Sequence, residues 1–126
     1  MIEKYISYKL NNDVALSSIS KANDHEDEST ELPFIVFKDI SKISFERCNN
    51  YKARYQFDVT DTTKTSVKEV LKKIEKLFDR NKEIFEDLQI INTKFDREGQ
   101  TIYNEDDKSY VGSIDIIYIY NNLEEI

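Results

Sequence analysis

The sequence predicts an α+β fold in the order helix–hairpin–helix–hairpin, with a mainly antiparallel four-stranded sheet and both helices packed on one face. Three observations carry this. Apolar residues recur at helical spacing in two stretches. They alternate strictly with polar residues over one central stretch, and β-branched and aromatic runs recur at three other places. With 126 residues there is room for one domain, 1–126, and for a core that needs no staples.

Ile2, Tyr5, Ile6 and Leu10 lie on one face of a first helix, which Asn11, Asn12 and Asp13 end, with a short turn after it. Residues 21–31 are polar and acidic and read as an exposed, mobile loop, closed by Leu32 and Pro33. Phe34, Ile35, Val36 and Phe37 open a strand that continues past a kink to Phe45. In the next, Tyr51, Ala53, Tyr55, Phe57 and Val59 alternate with Lys52, Arg54, Gln56 and Asp58, which predicts one wet and one buried face. Cys48, Asn49 and Asn50 supply the turn between them, so residues 33–60 read as a hairpin.

Val67, Val70, Leu71, Ile74, Leu77 and Phe78 fill a single arc of a second helix. Ser66 with Glu69 three residues on reads as its capping box, and its end falls near Arg80 and Asn81. Residues 88–95 and 111–120 predict the last two strands, with Ile114, Ile116, Tyr118 and Tyr120 on one face and Ile117 and Ile119 on the other. Between them, residues 96–110 read as a long, mobile polar connection.

Composition excludes several classes of function. One cysteine and one histidine, His25 in an acidic stretch, give no nucleophile–base pair, and the single thiol suits a reducing compartment. The acids at residues 24–31 lack the glycine and the spacing of a calcium loop, and no glycine-rich phosphate loop occurs. The sequence therefore predicts no enzyme, no metal and no cofactor. It shows neither a signal peptide nor an apolar run that could span a membrane, so a soluble, intracellular protein is expected. A net charge of −7 argues against sequence-independent nucleic-acid binding. Lys64, Lys68, Lys72 and Lys76 repeat every four residues, but the row winds around the helix among Glu75 and Asp79. A mixed solvated face is the simpler reading, and the alternative is contact with an acidic neighbouring subunit.

The order of elements, together with local wording, resembles a known family. Leu32-Pro33-Phe34-Ile35-Val36-Phe37-Lys38-Asp39-Ile40-Ser41 resembles a strand of the tail-completion or tail-terminator proteins of long-tailed bacteriophages. Tyr55-Gln56-Phe57-Asp58-Val59, followed by the helix from Ser66 to Phe78, is similar to that family's second strand and main helix. Ile90-Ile91-Asn92-Thr93, then Tyr103 to Tyr110, then Ser113 to Tyr120, resemble its closing hairpin. The stretch 21–31 departs from the family in being more acidic and less apolar.

What the resemblance implies is structural: a homo-oligomeric ring, typically a hexamer, at the head-proximal end of the virion tail. Such a ring stops tube polymerisation and joins tail to head, with the tail tube protein and a head-completion protein as partners. DNA passes through its lumen without specific binding, and no membrane is involved. On this reading Asp24, Glu26, Asp27, Glu28, Tyr103, Glu105, Asp106, Asp107 and Tyr110 are the candidate partner-facing residues. A neck or head-completion protein, or a small acidic adaptor or inhibitor module, are the alternative readings.

Overall fold

The computed structural model describes residues 2–23, 32–45, 50–106 and 108–123. Helix α1 (Ile2–Asn12) buries Ile2, Tyr5, Ile6 and Leu10, the four positions its periodicity marked. The Asp13 carboxylate accepts from the backbone N–H of Ala15 (3.1 Å) and Leu16 (3.2 Å), and the turn this stabilises drops Leu16 into the core. Strand β1 (Ser20–Asn23) then runs parallel to the first four residues of β2 (Phe34–Phe45), which turns into β3 (Asn50–Asp61). Helix α2 (Lys64–Leu77) crosses back over the sheet. Strands β4 (Glu83–Phe85), β5 (Leu88–Glu98), β6 (Ile102–Asn104) and β7 (Ser109–Asn122) complete the chain.

The α+β class stands, but the sheet is not four-stranded. It has seven strands in the order β1-β2-β3-β7-β5-β4, with β6 paired to β7 off that path, and every pair except β1–β2 is antiparallel. The four long strands are those the sequence marked. The additions are three short ones, of 4, 3 and 3 residues, too short for any alternation to register. The element order is accordingly helix, strands, helix, strands rather than two clean hairpins. Much of the expected connection over residues 96–110 is strand, because β5 runs on to Glu98 and β6 takes up residues 102–104. The kink expected in the first long strand is a bulge between Asp39 and Ser41.

Both helices pack on the face formed by Ala53, Tyr55, Phe57 and Val59 of β3 and Ile114, Ile116, Tyr118 and Tyr120 of β7. At its centre Phe78 meets Tyr118 edge-on (5.4 Å between ring centroids), Phe57 (5.7 Å) and Tyr5 (6.3 Å). Gly112 of β7 lets α2 approach, since a Cβ there would stand 2.7 Å from Val67 Cγ1 and 2.9 Å from Leu71 Cδ1.

Helix α2 begins earlier than the Ser66–Glu69 box suggested. Thr63 is the N-cap, its hydroxyl accepting from the Ser66 N–H at 3.1 Å, so Ser66 already lies inside the first turn. The helix also ends earlier, at Leu77, and its C-terminal end is held by β5. The buried Thr93 hydroxyl donates to the Phe78 carbonyl and accepts from the Asn81 N–H (2.9 Å), while the Thr93 carbonyl takes the Arg80 N–H (2.9 Å). Arg80 turns through φ 51° to make this possible.

Helix α1 is tied to the rest by polar contacts as well as by its apolar face. Lys4 pairs with Glu86 (2.9 Å) and Lys9 with Glu83 (3.3 Å), and the Tyr55 hydroxyl donates to Glu3 at 2.5 Å. Burial works against the charged carboxylate of Glu3, but the bond from Tyr55, with backbone hydrogen bonding and nearby Lys42, outweighs it and holds the group below its ordinary value of 4.5. The sign follows from linkage. A lowered folded value means that this contribution is fully present above about pH 4.5 and is lost as pH falls through the folded value. Acid titration of wild type against Tyr55→Phe should therefore show a difference in stability near neutrality that narrows below pH 4.5. A constant difference down to the acid transition would refute the assignment.

Candidate assembly interface

The β6–β7 hairpin gathers four of the nine candidate residues. Strand β7 is long enough to pair first with β6 and then with β5, and Gly99 bridges the break by donating its N–H to the Ser113 carbonyl (2.9 Å). Tyr103 and Tyr110 stand opposite one another, their rings 4.9 Å apart. Tyr110 is half-buried against the core while Tyr103 remains 47% exposed. At the turn, the Asn104 side-chain oxygen accepts from the Asp106 N–H (3.0 Å), and Lys108 adopts φ 52°. Glu105 and Asp106 project into solvent there. The hairpin thus presents an aromatic pair beside two carboxylates. Asp24, Glu26, Asp27, Glu28 and Asp107 lie outside the described residues, as do Cys48 and His25.

Helix α2 turns Lys64, Lys68, Lys72, Lys73 and Lys76 to solvent, and none of them forms a salt bridge among the described residues. The favourable spacing of Glu69 and Lys73 does not close into a pair. The far face of the sheet has no helix over it among the described residues, and it carries a charged lattice. Arg54 reaches Asp96 (2.6 Å) and Asp115 (3.5 Å), Arg97 reaches Asp115 (3.5 Å), and Lys38 reaches Asp58 (3.5 Å). Asp115 is 5% exposed and lies within ion-pair distance of both the Arg54 and Arg97 guanidinium groups.

Which stretches of the sheet edges stay open could not be read from the sequence. Strand β1 covers only residues 34–37 of β2, which leaves the outward edge of residues 38–45 without a strand partner among the described residues. On the other side β4 covers only residues 88–90 of β5, so residues 94–98 and the adjoining Ile102 and Tyr103 have no strand partner on their outward side among the described residues. Ile40 (46% exposed) and Ile43 (55%) lie on the first stretch, and Phe95 (37%), Ile102 (65%) and Tyr103 (47%) on the second. These are five of the nine exposed large apolar side chains among the described residues, a concentration that marks both edges as surfaces for contact. No periodicity announces this, because which edges stay open depends on where the short strands stop.

Among the described residues no group of three or more His, Cys, Asp and Glu side chains is placed to hold a metal ion, and no helix is long and apolar enough to cross a membrane. No family model matches the sequence, and no curated protein matches it. The fold, in contrast, has a counterpart among solved structures. A chain from the virion of a native gene transfer agent particle superposes with a TM-score of 0.70 at 7% identity, over 91% of this chain and 90% of that one. At such identity the likeness is one of fold, and it extends over nearly the whole of both chains.

Proposed function

We propose that this protein is a structural component of a phage-like particle, and specifically a tail terminator. It caps the head-proximal end of the tail tube as a ring, stops tube polymerisation and joins the tail to the head. The observation that carries the reading is the near full-length fold likeness to a chain of a gene transfer agent virion. The ordered set of sequence segments resembling tail-completion proteins supports the finer assignment. The work is binding rather than catalysis, performed with copies of the same chain, the tube protein and a head-completion protein. DNA passes through the lumen, and the chain's net charge of −7 suits a wall that does not hold it.

In this reading the β6–β7 hairpin, with Tyr103, Glu105, Asp106, Asp107 and Tyr110, and the acidic stretch containing Asp24, Glu26, Asp27 and Glu28 face partners. Exposed tyrosines are among the residues that contribute most at interfaces, and carboxylates suit the polar rim around them. The test adds the protein to polymerising tube protein and follows tube length and end-labelling by electron microscopy. Label at one end and shortened tubes are expected. Tyr103→Ser combined with Glu105→Lys, both at exposed positions, should weaken capping by roughly tenfold while leaving the melting temperature nearly unchanged. Label spread along the tube, or capping unaffected by the substitutions, would count against the proposal.

A further inference from the structure

We propose that the lysine face of α2 binds the acidic segment at residues 24–31 of a neighbouring copy, so that each subunit gives its segment to one neighbour and receives another neighbour's segment on its helix. The inference rests on the reading of the chain as a ring-forming assembly protein and names the contact that joins one subunit to the next. Helix α2 packs on β3 and β7 through one arc, Val67, Val70, Leu71 and Ile74. At about 100° per residue Lys72 and Lys76 lie almost opposite that arc, with Lys68 and Lys73 on its two flanks. All four are exposed, and none is paired with an acid among the described residues, although Glu69 and Asp79 stand on the same side of the helix.

Charge singles this face out. Residues 64–79 carry five lysines against Glu69, Glu75 and Asp79, a net charge of +2 within a chain of −7, so the rest of the chain carries −9. That acid is most concentrated at residues 24–31, where Asp24, Glu26, Asp27, Glu28 and Glu31 occur with no lysine or arginine among them. The chain therefore holds both halves of a charge-complementary contact. Helix against helix and segment against segment both repel, which disfavours a symmetric pairing of like patches, while helix against segment attracts.

The two halves also sit apart on the subunit. The segment is attached at the end of β1, the outermost strand on one side of the sheet, whereas α2 lies over β3 and β7 in its middle. Two different patches are what a head-to-tail contact requires. Their sizes agree. Lys64 to Lys76 cover about 18 Å of helix, and eight residues of chain span at most about 28 Å, so one segment can meet several lysines at once. Ion pairs on an exposed face are individually weak and screened by salt, so the contact draws its strength from their number and fades as salt rises.

The test reverses each half: Lys68→Glu, Lys72→Glu and Lys76→Glu together on the helix, and Glu26→Lys, Asp27→Lys and Glu28→Lys together in the segment. Thermal melts verify folding, and a milder helix variant, Lys68→Gln, Lys72→Gln and Lys76→Gln, adds no repulsion within α2. Mass is followed by sedimentation velocity and light scattering at low and high salt. Wild type is expected to assemble at low salt and to weaken as salt rises. Each reversed variant alone should lose association by at least roughly tenfold, with the glutamine variant in between. The decisive sample is a one-to-one mixture of the two reversed variants. Every helix–segment contact between unlike copies is then of opposite charge, so assembly should return with the two variants alternating. Variants that assemble like wild type, a mixture that stays dissociated, or a wild type that is monomeric at every salt concentration would each overturn the pairing. Recovery only in a chain carrying both reversals would overturn it too, by placing the contact within one copy. Binding of duplex DNA that the helix variants abolish would assign the lysines to nucleic acid instead. Tube capping is read separately, so assembly and capping retained in both reversed variants would remove this contact and leave the terminator reading standing.

Discussion

Phe78→Ala should cost the fold about 3–5 kcal/mol, lowering the melting temperature by roughly 15 °C. Phe78 is fully buried where α1, α2 and the sheet meet, with rings of Tyr5, Phe57 and Tyr118 around it. Alanine would leave a void that none of these neighbours can fill without breaking its own contacts. Tyr5 is engaged by Asn81 (3.3 Å) and Tyr55 by Glu3, which limits relaxation. Phe78→Leu, which retains most of the volume, should cost about 1.5 kcal/mol. Urea denaturation monitored by circular dichroism reads both. A loss below about 1 kcal/mol for the alanine variant would mean that the core closes over the gap, and the packing described above would be wrong.

Gly112→Val is expected to destabilise by about 3 kcal/mol for the opposite reason, overfilling. A Cβ already falls 2.7 Å from Val67 Cγ1 and 2.9 Å from Leu71 Cδ1, and 3.2 Å from the Thr101 hydroxyl oxygen. Val67 is β-branched and lies in the first half of α2, so it cannot rotate aside and the helix must lift from β7. The compensating change makes the argument testable. Gly112→Ala should be clearly less stable than wild type, and Gly112→Ala with Val67→Ala should recover part of that loss in a double-mutant cycle. Simple additivity of the two substitutions would show that they do not meet.

These expectations rest on features of unequal visibility in the sequence. Helix α1 and strand β3 were legible because each buries one face, so spacing alone reports their geometry. Strand β7 was legible from its apolar run and its two faces, although Ile117 on the face away from the helices is buried as well. The start of α2 was misplaced because Thr63 and Ser66 both carry a capping hydroxyl, and only the chain's exit from β3 decides between them. Strands β1, β4 and β6 owe their existence to neighbours that offer hydrogen-bonding partners, not to any preference of Ser20–Asn23 or Glu83–Phe85. Thr93 looks like an ordinary β-former; its role at the end of α2 is a tertiary fact. The same holds for the candidate interface. Tyr103 and Tyr110 stood out as aromatics in polar surroundings, yet their pairing depends on β6 reaching β7. Ile40 and Ile43 read only as part of a strand and Ile102 as part of a polar connection, and what exposes them is where the flanking strands stop.

The hold of Thr93 on α2 has a mechanical consequence. Strand β5 is bonded to β7 along one side; on the other, beyond its short ladder to β4, Thr93 ties it to the Phe78 carbonyl and the Arg80 and Asn81 amides. A load applied at the outer margin of the sheet therefore does not peel β5 away as a loose flap. It is shared between the ladder to β7 and the root of the helix, so the subunit can bear tension across its width as one piece.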